Sequence, residues 1–308
     1  MRLNRPIFLN GMSRGGTTIL MNLISSHPAV ALVGETHKTF KGCRQNDSVA
    51  RVAYKCLFRE LPVLTAHRQD YFSPRLEEPR PRLTPVLRRH VDRCLFAEQL
   101  RRHPNLNQYK APGVKYTSNE LRRARLLAKN LDGAIYLSDV FAEMYPDATF
   151  VSLIRNGFAV CEGHVRRGTP ANTIGRRYRE LATKMLDDAE TRNNHVLIRF
   201  EDLLADAREV AVRCCLAADL DIWQLGEVRQ QRRRVIRDDG QHVANGREWE
   251  VVWTPLAQLS STLEQDIDQR QIARLSDADR DAFLEEAYPV MQRLGYVSRA
   301  QRQVRRAA

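Results

Sequence analysis

The stretch Ile7-Phe8-Leu9-Asn10-Gly11-Met12-Ser13-Arg14-Gly15-Gly16-Thr17-Thr18-Ile19-Leu20-Met21 constrains the fold more than any other part of the chain. An apolar run without helical period comes first, then a glycine-bearing turn, then two hydroxyl residues opening an apolar-periodic segment. That order predicts strand, loop and helix. Gly15 and Gly16 can take backbone angles that aim successive amides into one concavity, and the following helix adds the positive end of its dipole there. Leu20, Leu23 and Ile24 form the core-facing stripe of that helix, and His27-Pro28 stops it. The local geometry is that of a phosphate-binding loop in an α/β fold.

One residue type is missing from it. Gly11 to Thr18 has the spacing of a nucleoside-triphosphate loop, but Thr17 stands where that motif carries lysine, and Arg14 lies inside the loop. A kinase or ATPase built this way would lack the ammonium that reaches the β and γ phosphates. The planar fork of Arg14, the paired glycines and the hydroxyls of Thr17 and Thr18 still suit a small sulfate or phosphate group.

Further signals follow in chain order. Ala29 to Val33 reads as a buried strand that delivers Gly34-Glu35-Thr36-His37 at its carboxyl end, where ligand sites in open α/β sheets sit. From Phe40 to about Arg82 four prolines and mixed charge predict helices and an irregular insertion over the site. An amphipathic helix is expected from Pro85 to Leu100, a loop over Lys110 to Asn119, and helices over Glu120 to Asn130 and Tyr136 to Tyr145. Thr149 to Ile154 is a continuous apolar strand ending at Arg155-Asn156-Gly157. A long helix over Ala171 to Arg192, a strand entering a helix over His195 to Leu203, and a final helix from Asp277 to Leu294 complete the pattern. Glu201 and Asp202 fall at a helix amino terminus, a structural position. Between the last two elements lie a basic run, Arg229 to Arg237, and the polar loop of Gly246-Arg247-Glu248-Trp249.

Composition narrows the partners. A chain of 308 residues with 43% hydrophobic residues buries a core without crosslinks. A formal charge of +12 and a pI near 9.7 point to anionic partners. Nucleic acid is set aside for want of a recognition motif. No apolar run reaches membrane-spanning length, and residues 1–6 lead straight into a core strand; the expectation is a soluble, cytoplasmic chain with no membrane partner. Cys43, Cys56, Cys94, Cys161, Cys214 and Cys215 lack metal-ligand spacing and are expected to be buried thiols, with no metal bound.

Several of these elements resemble the sulfotransferases that use 3′-phosphoadenosine 5′-phosphosulfate. Ser13-Arg14-Gly15-Gly16-Thr17-Thr18 resembles their 5′-phosphosulfate loop, and "PDATFVSLIRNGFAV" resembles their 3′-phosphate segment, which implies that Arg155 binds the 3′-phosphate. "VKYTSN" is similar to the family's lysine segment and implies that Lys115 approaches the sulfuryl oxygens. The run "SSHPAVALVGET" resembles tyrosylprotein sulfotransferases and implies that Glu35 is the general base, with His37 as the runner-up. A late basic loop implies Arg247 as a phosphate contact, with a solvated basic face as the alternative. The chain departs from the family at Gly163, where a serine usually completes the 3′-phosphate site. Its role falls to the Gly163 amide or to His164, Arg166 or Arg167, or 3′-phosphate affinity is weakened.

The resulting expectation is a P-loop α/β fold with a mainly parallel sheet flanked by helices. It forms one domain over residues 1–297 with a helical acceptor-side insertion near 40–110, and a basic disordered tail follows. The implied reaction is metal-free transfer of a sulfuryl group to a hydroxyl of a small molecule or tyrosyl peptide. A P-loop nucleotide or small-molecule kinase and a non-catalytic nucleotide-binding protein are the alternatives.

Overall fold

The computed structural model describes residues 5–36, 48–55, 57, 85–100, 117–233 and 249–298. In chain order these form β1 (Ile7–Gly11), α1 (Thr17–Ser25), β2 (Val30–Glu35), α2 (Val49–Lys55), α3 (Pro85–Gln99), α4 (Ser118–Arg123), β3 (Arg125–Leu131), α5 (Ser138–Met144), β4 (Thr149–Ile154), α6 (Gly157–Val165), α7 (Ala171–Thr191), β5 (His195–Arg199), α8 (Phe200–Ala205), α9 (Ala207–Ala217), β6 (Glu227–Arg233), β7 (Trp249–Pro255), α10 (Leu259–Thr262), α11 (Ile267–Ala273) and α12 (Asp277–Arg293). His37, Lys115, Arg247, Cys43, Cys56, residues 299–308 and most of the expected insertion lie outside the described residues. Among the described residues no helix is long and apolar enough to cross a membrane.

Five parallel strands form the main sheet in the order β2-β3-β1-β4-β5. Every residue of β1 is buried, which explains its unbroken apolar run: a central parallel strand is covered on both faces and needs no alternation. On one face Ile7 and Leu9 pack with Leu20, Leu23 and Ile24 of α1 and with α9. On the other, Phe8 stacks on Phe141 of α5 with ring centroids 4.3 Å apart, beside Val91 and Leu95 of α3. Burying each such side chain stabilises the fold by about 1.5–3 kcal/mol. A buried polar cluster fixes the register: Asn10 Oδ1 accepts from Asn130 Nδ2 at 2.9 Å and from Ser138 Oγ at 3.0 Å, joining β1, β3 and α5.

The helix expected over Glu120–Asn130 is a correction. α4 stops at Arg123, Ala124 turns extended, and Arg125–Leu131 becomes β3 between β1 and β2. Its Leu, Ala and Lys content favours helix locally, but the slot between two strands satisfies the backbone and both faces at once. The helix expected from Tyr136 starts as a 3₁₀ turn over Asp132–Leu137, and α5 proper begins at Ser138. The basic run contributes a strand, β6, paired antiparallel with β7, and Arg229 is buried within it. Cys94, Cys161, Cys214 and Cys215 are free and buried; burial pushes the Cys161 and Cys214 thiols up to about 12.

Candidate functional site

All the placed site residues gather at the carboxyl ends of the parallel strands. The loop leaves β1 with two residues in the left-handed region, Arg14 at φ 67° and Gly16 at φ 84°. Gly16 is required there twice over, because a Cβ would also lie 2.3 Å from the Phe200 ring. A left-handed Arg is a strained position that persists only where surrounding bonds impose it. They are present: Gly15 N–H donates to Met12 O at 3.0 Å, and the Ser13 amide and hydroxyl donate to Asp132 Oδ1 at 3.0 and 3.2 Å. Burial holds His164 below the usual histidine range, so its ring is neutral; Nε2 lies 3.2 Å from both Ser13 O and Ser13 Oγ. Ser13 thus anchors the loop. The first turn of α1 carries neither a side-chain cap nor an acidic residue, and Thr17 is buried while Thr18 is exposed at that helix start. Those amides and hydroxyls suit an anion.

The loop mouth is cationic. Arg14 is exposed at its tip; partial burial first, and then the neighbouring Arg167 and Arg166, lower its affinity for its own proton. The departure at Gly163 gains a physical meaning here, since a Cβ on that residue would lie 3.0 Å from Cβ and 3.1 Å from Cγ of Arg14. The stem of Arg14 lies where a side chain at position 163 would stand.

Arg155 follows β4 and is buried against the same loop. Its Nη1 donates to Arg14 O at 2.8 Å, its guanidinium lies 4.4 Å over the Phe200 ring, and it is ion-paired with Asp268 of α11. Nη2 also reaches Gln271 Oε1 at 2.6 Å. Glu201, at the start of α8, accepts from the Asn156 amide at 2.9 Å and from Tyr296 Oη at 3.0 Å, the structural position its sequence context indicates.

On the other side of β1, Glu35 ends β2 beside Lys129 of β3. Their backbones are in register and Lys129 Nζ lies 3.2 Å from Glu35 Oε1, with side chains 6% and 19% exposed. A bulge aims this pair. The β2–β3 register shifts between Leu32 and Gly34, and Gly34 sits at φ 96°, so one extra residue turns Glu35 toward Lys129. Lys129 escaped sequence reasoning because it lay in the segment read as helix. The signal that could have found it is a single lysine in the mostly apolar run 126–131, three residues before the left-handed Asp132. Among the described residues no group of three or more His, Cys, Asp or Glu side chains is placed to hold a metal ion.

The sequence model described as "Sulfotransferase family" matches residues 6–224. Similar solved structures include the sulfotransferase domain of the Synechococcus PCC 7002 olefin synthase, at 15% identity over 94% of both chains with a TM-score of 0.46. Another is the sulfotransferase domain from the curacin biosynthetic pathway, at 12% identity over 89% of this chain and 98% of that one with a TM-score of 0.43. A third is a sulfotransferase from Alicyclobacillus acidocaldarius, at 14% identity over 93% of this chain and 97% of that one with a TM-score of 0.37. No curated protein sequence matches the chain.

Proposed function

The chain belongs to the sulfotransferase family, and from that premise we propose that it transfers a sulfuryl group from 3′-phosphoadenosine 5′-phosphosulfate to a hydroxyl. The acceptor is a phenolic or tyrosyl hydroxyl or a small-molecule alcohol. The observation that carries the reading is the Glu35–Lys129 pair on the strand ends next to the left-handed loop. A carboxylate and an ammonium fixed side by side supply a base for the acceptor proton and a positive charge for developing negative charge.

Each placed residue then has a role. Arg14, the Gly16 amide and the hydroxyls of Thr17 and Thr18 hold the 5′-phosphosulfate, while Ser13 and the Gly15 N–H to Met12 O keep the loop in shape. Arg155 is the contact for the 3′-phosphate, and Gly163 leaves room for the Arg14 stem. Glu35 takes the proton from the acceptor hydroxyl as the new oxygen–sulfur bond forms and the bond to the bridging oxygen breaks, releasing adenosine 3′,5′-bisphosphate. Lys129 neutralises the sulfuryl oxygens, a role expected for Lys115 from sequence. His37, Lys115 and Arg247 remain expectations outside the described residues.

Calorimetric titration tests the donor. Adenosine 3′,5′-bisphosphate is expected to bind at least tenfold more tightly than ATP with magnesium, because Thr17 replaces the lysine that ATP loops use (about tenfold per 1.4 kcal/mol). Tighter ATP binding, with hydrolysis, would move the chain to the kinases; bisphosphate binding without turnover of any hydroxyl acceptor would leave a binding protein.

Gly34 offers a second test, because its requirement is conformational. A Cβ there meets nothing within 4 Å, yet φ 96° disfavours any side chain. Gly34→Ala is expected to cost about 1 kcal/mol of stability and, by mis-aiming Glu35, to lower kcat by roughly tenfold or more. Bisphosphate affinity should be untouched, so thermal melting, kinetics and titration together read the three effects. Equal losses in kcat and in bisphosphate binding would show that the bulge serves the whole site instead of Glu35.

A further inference from the structure

We propose that Asp268 is a specificity-determining residue, which competes with the donor's 3′-phosphate for Arg155. The inference rests on the donor reading above and on an account of every Arg155 donor. A guanidinium has five N–H groups. Nε donates to Asp268 Oδ1 at 2.8 Å, one Nη2 hydrogen goes to the same oxygen and the other to Gln271 Oε1, and one Nη1 hydrogen goes to Arg14 O. A single N–H, on Nη1, is left. One face of the group is covered by Phe200, and the side chains of Arg155 and Asp268 are only 6% and 12% exposed. The edge that could grip a phosphate with two parallel hydrogen bonds is therefore the edge that α11 holds, and its charge is already neutralised.

The Asp268 contact is itself incompletely satisfied. Asp268 Oδ2 is buried without a hydrogen-bond partner, so the carboxylate is desolvated on one side for a gain on the other. It borders a cavity of about 330 Å³ lined also by Asn156, Glu201, Leu204 and Gln269, which gives the side chain space to turn away from Arg155. Turning there brings it toward Glu201, another carboxylate, so the release of Arg155 is opposed. The 3′-phosphate is consequently a weak determinant of donor binding in this chain.

The test compares adenosine 3′,5′-bisphosphate with adenosine 5′-monophosphate, which lacks the 3′-phosphate, by calorimetry on the full chain. Asp268→Asn is expected to tighten bisphosphate binding about tenfold, the scale of one charge-assisted hydrogen bond regained, and to leave the monophosphate unchanged. Asp268→Ala should act in the same direction, and adding Arg155→Ala to either variant should erase the gain. A purely structural role for Asp268 predicts instead equal weakening of both nucleotides with a lower Tm. Wild-type preference for the bisphosphate that Asp268→Asn leaves unchanged or reduces overturns the inference alone. Failure of wild type and both Asp268 variants to bind the bisphosphate overturns the donor reading and the inference together.

Discussion

Glu35→Gln is expected to lower kcat by about a thousandfold, within the 10²–10⁴ that a positioned general base contributes, while the Kd for adenosine 3′,5′-bisphosphate stays within about twofold. The separation follows from where the groups sit. Glu35 lies at the end of β2, two strands from β1, whereas the loop, α1 and Arg155 occupy the β1 and β4 ends. Glu35 Oε1 lies 3.2 Å from Lys129 Nζ, and a carboxylate is the form of the side chain that can accept the acceptor's proton. Glutamine keeps the length and planarity of the side chain but has no basic site at neutral pH. Rapid-quench or steady-state assay of sulfuryl transfer, alongside bisphosphate titration, reads both quantities. A kcat within about threefold of wild type would remove Glu35 from the chemistry and direct attention to His37, the other base the sequence offers.

What the sequence disclosed, and what it hid, divides along physical lines. The loop was legible because its residues act through backbone conformation: paired glycines after an apolar strand leave few alternatives, and the structure places Gly16 in the left-handed region. That Arg14 shares this conformation was not legible, since it depends on Asp132 and His164, residues distant in sequence that grip Ser13. β4 and β5 were legible as apolar runs, while β3 was hidden behind local helix propensity that only the neighbouring strands override. With it went Lys129. The Glu35 position could be read from its strand, but its partner could not, because a bulge at Gly34 decides which residue Glu35 meets. Nothing local marks Asp268 as the partner of Arg155, 113 residues away; that pairing exists only once α11 packs beside α6.

Lys129→Met should combine two losses that a double mutant separates. The Lys129 side chain is 6% exposed and the Glu35 side chain 19%, so the substitution removes the ammonium 3.2 Å from Glu35 Oε1 and puts an apolar side chain in its place. Breaking one member of a buried pair costs about 3 kcal/mol, which for a chain of this size lowers Tm by roughly 5–10 °C. Turnover should fall by about 10²–10³, the scale of one preorganised charge aimed at the reacting group. In the double variant Glu35→Gln/Lys129→Met both members of the pair are uncharged, and stability should recover by more than half of the single-variant loss. Activity should not recover, because neither the base nor the charge returns. Thermal melts of the four proteins of the cycle and their kcat values decide the matter. Recovery of stability without activity assigns the pair to chemistry as well as to folding. Recovery of both would reduce Glu35 and Lys129 to a structural clamp between β2 and β3 and would leave the sulfuryl group to be neutralised from the arginines of the loop alone.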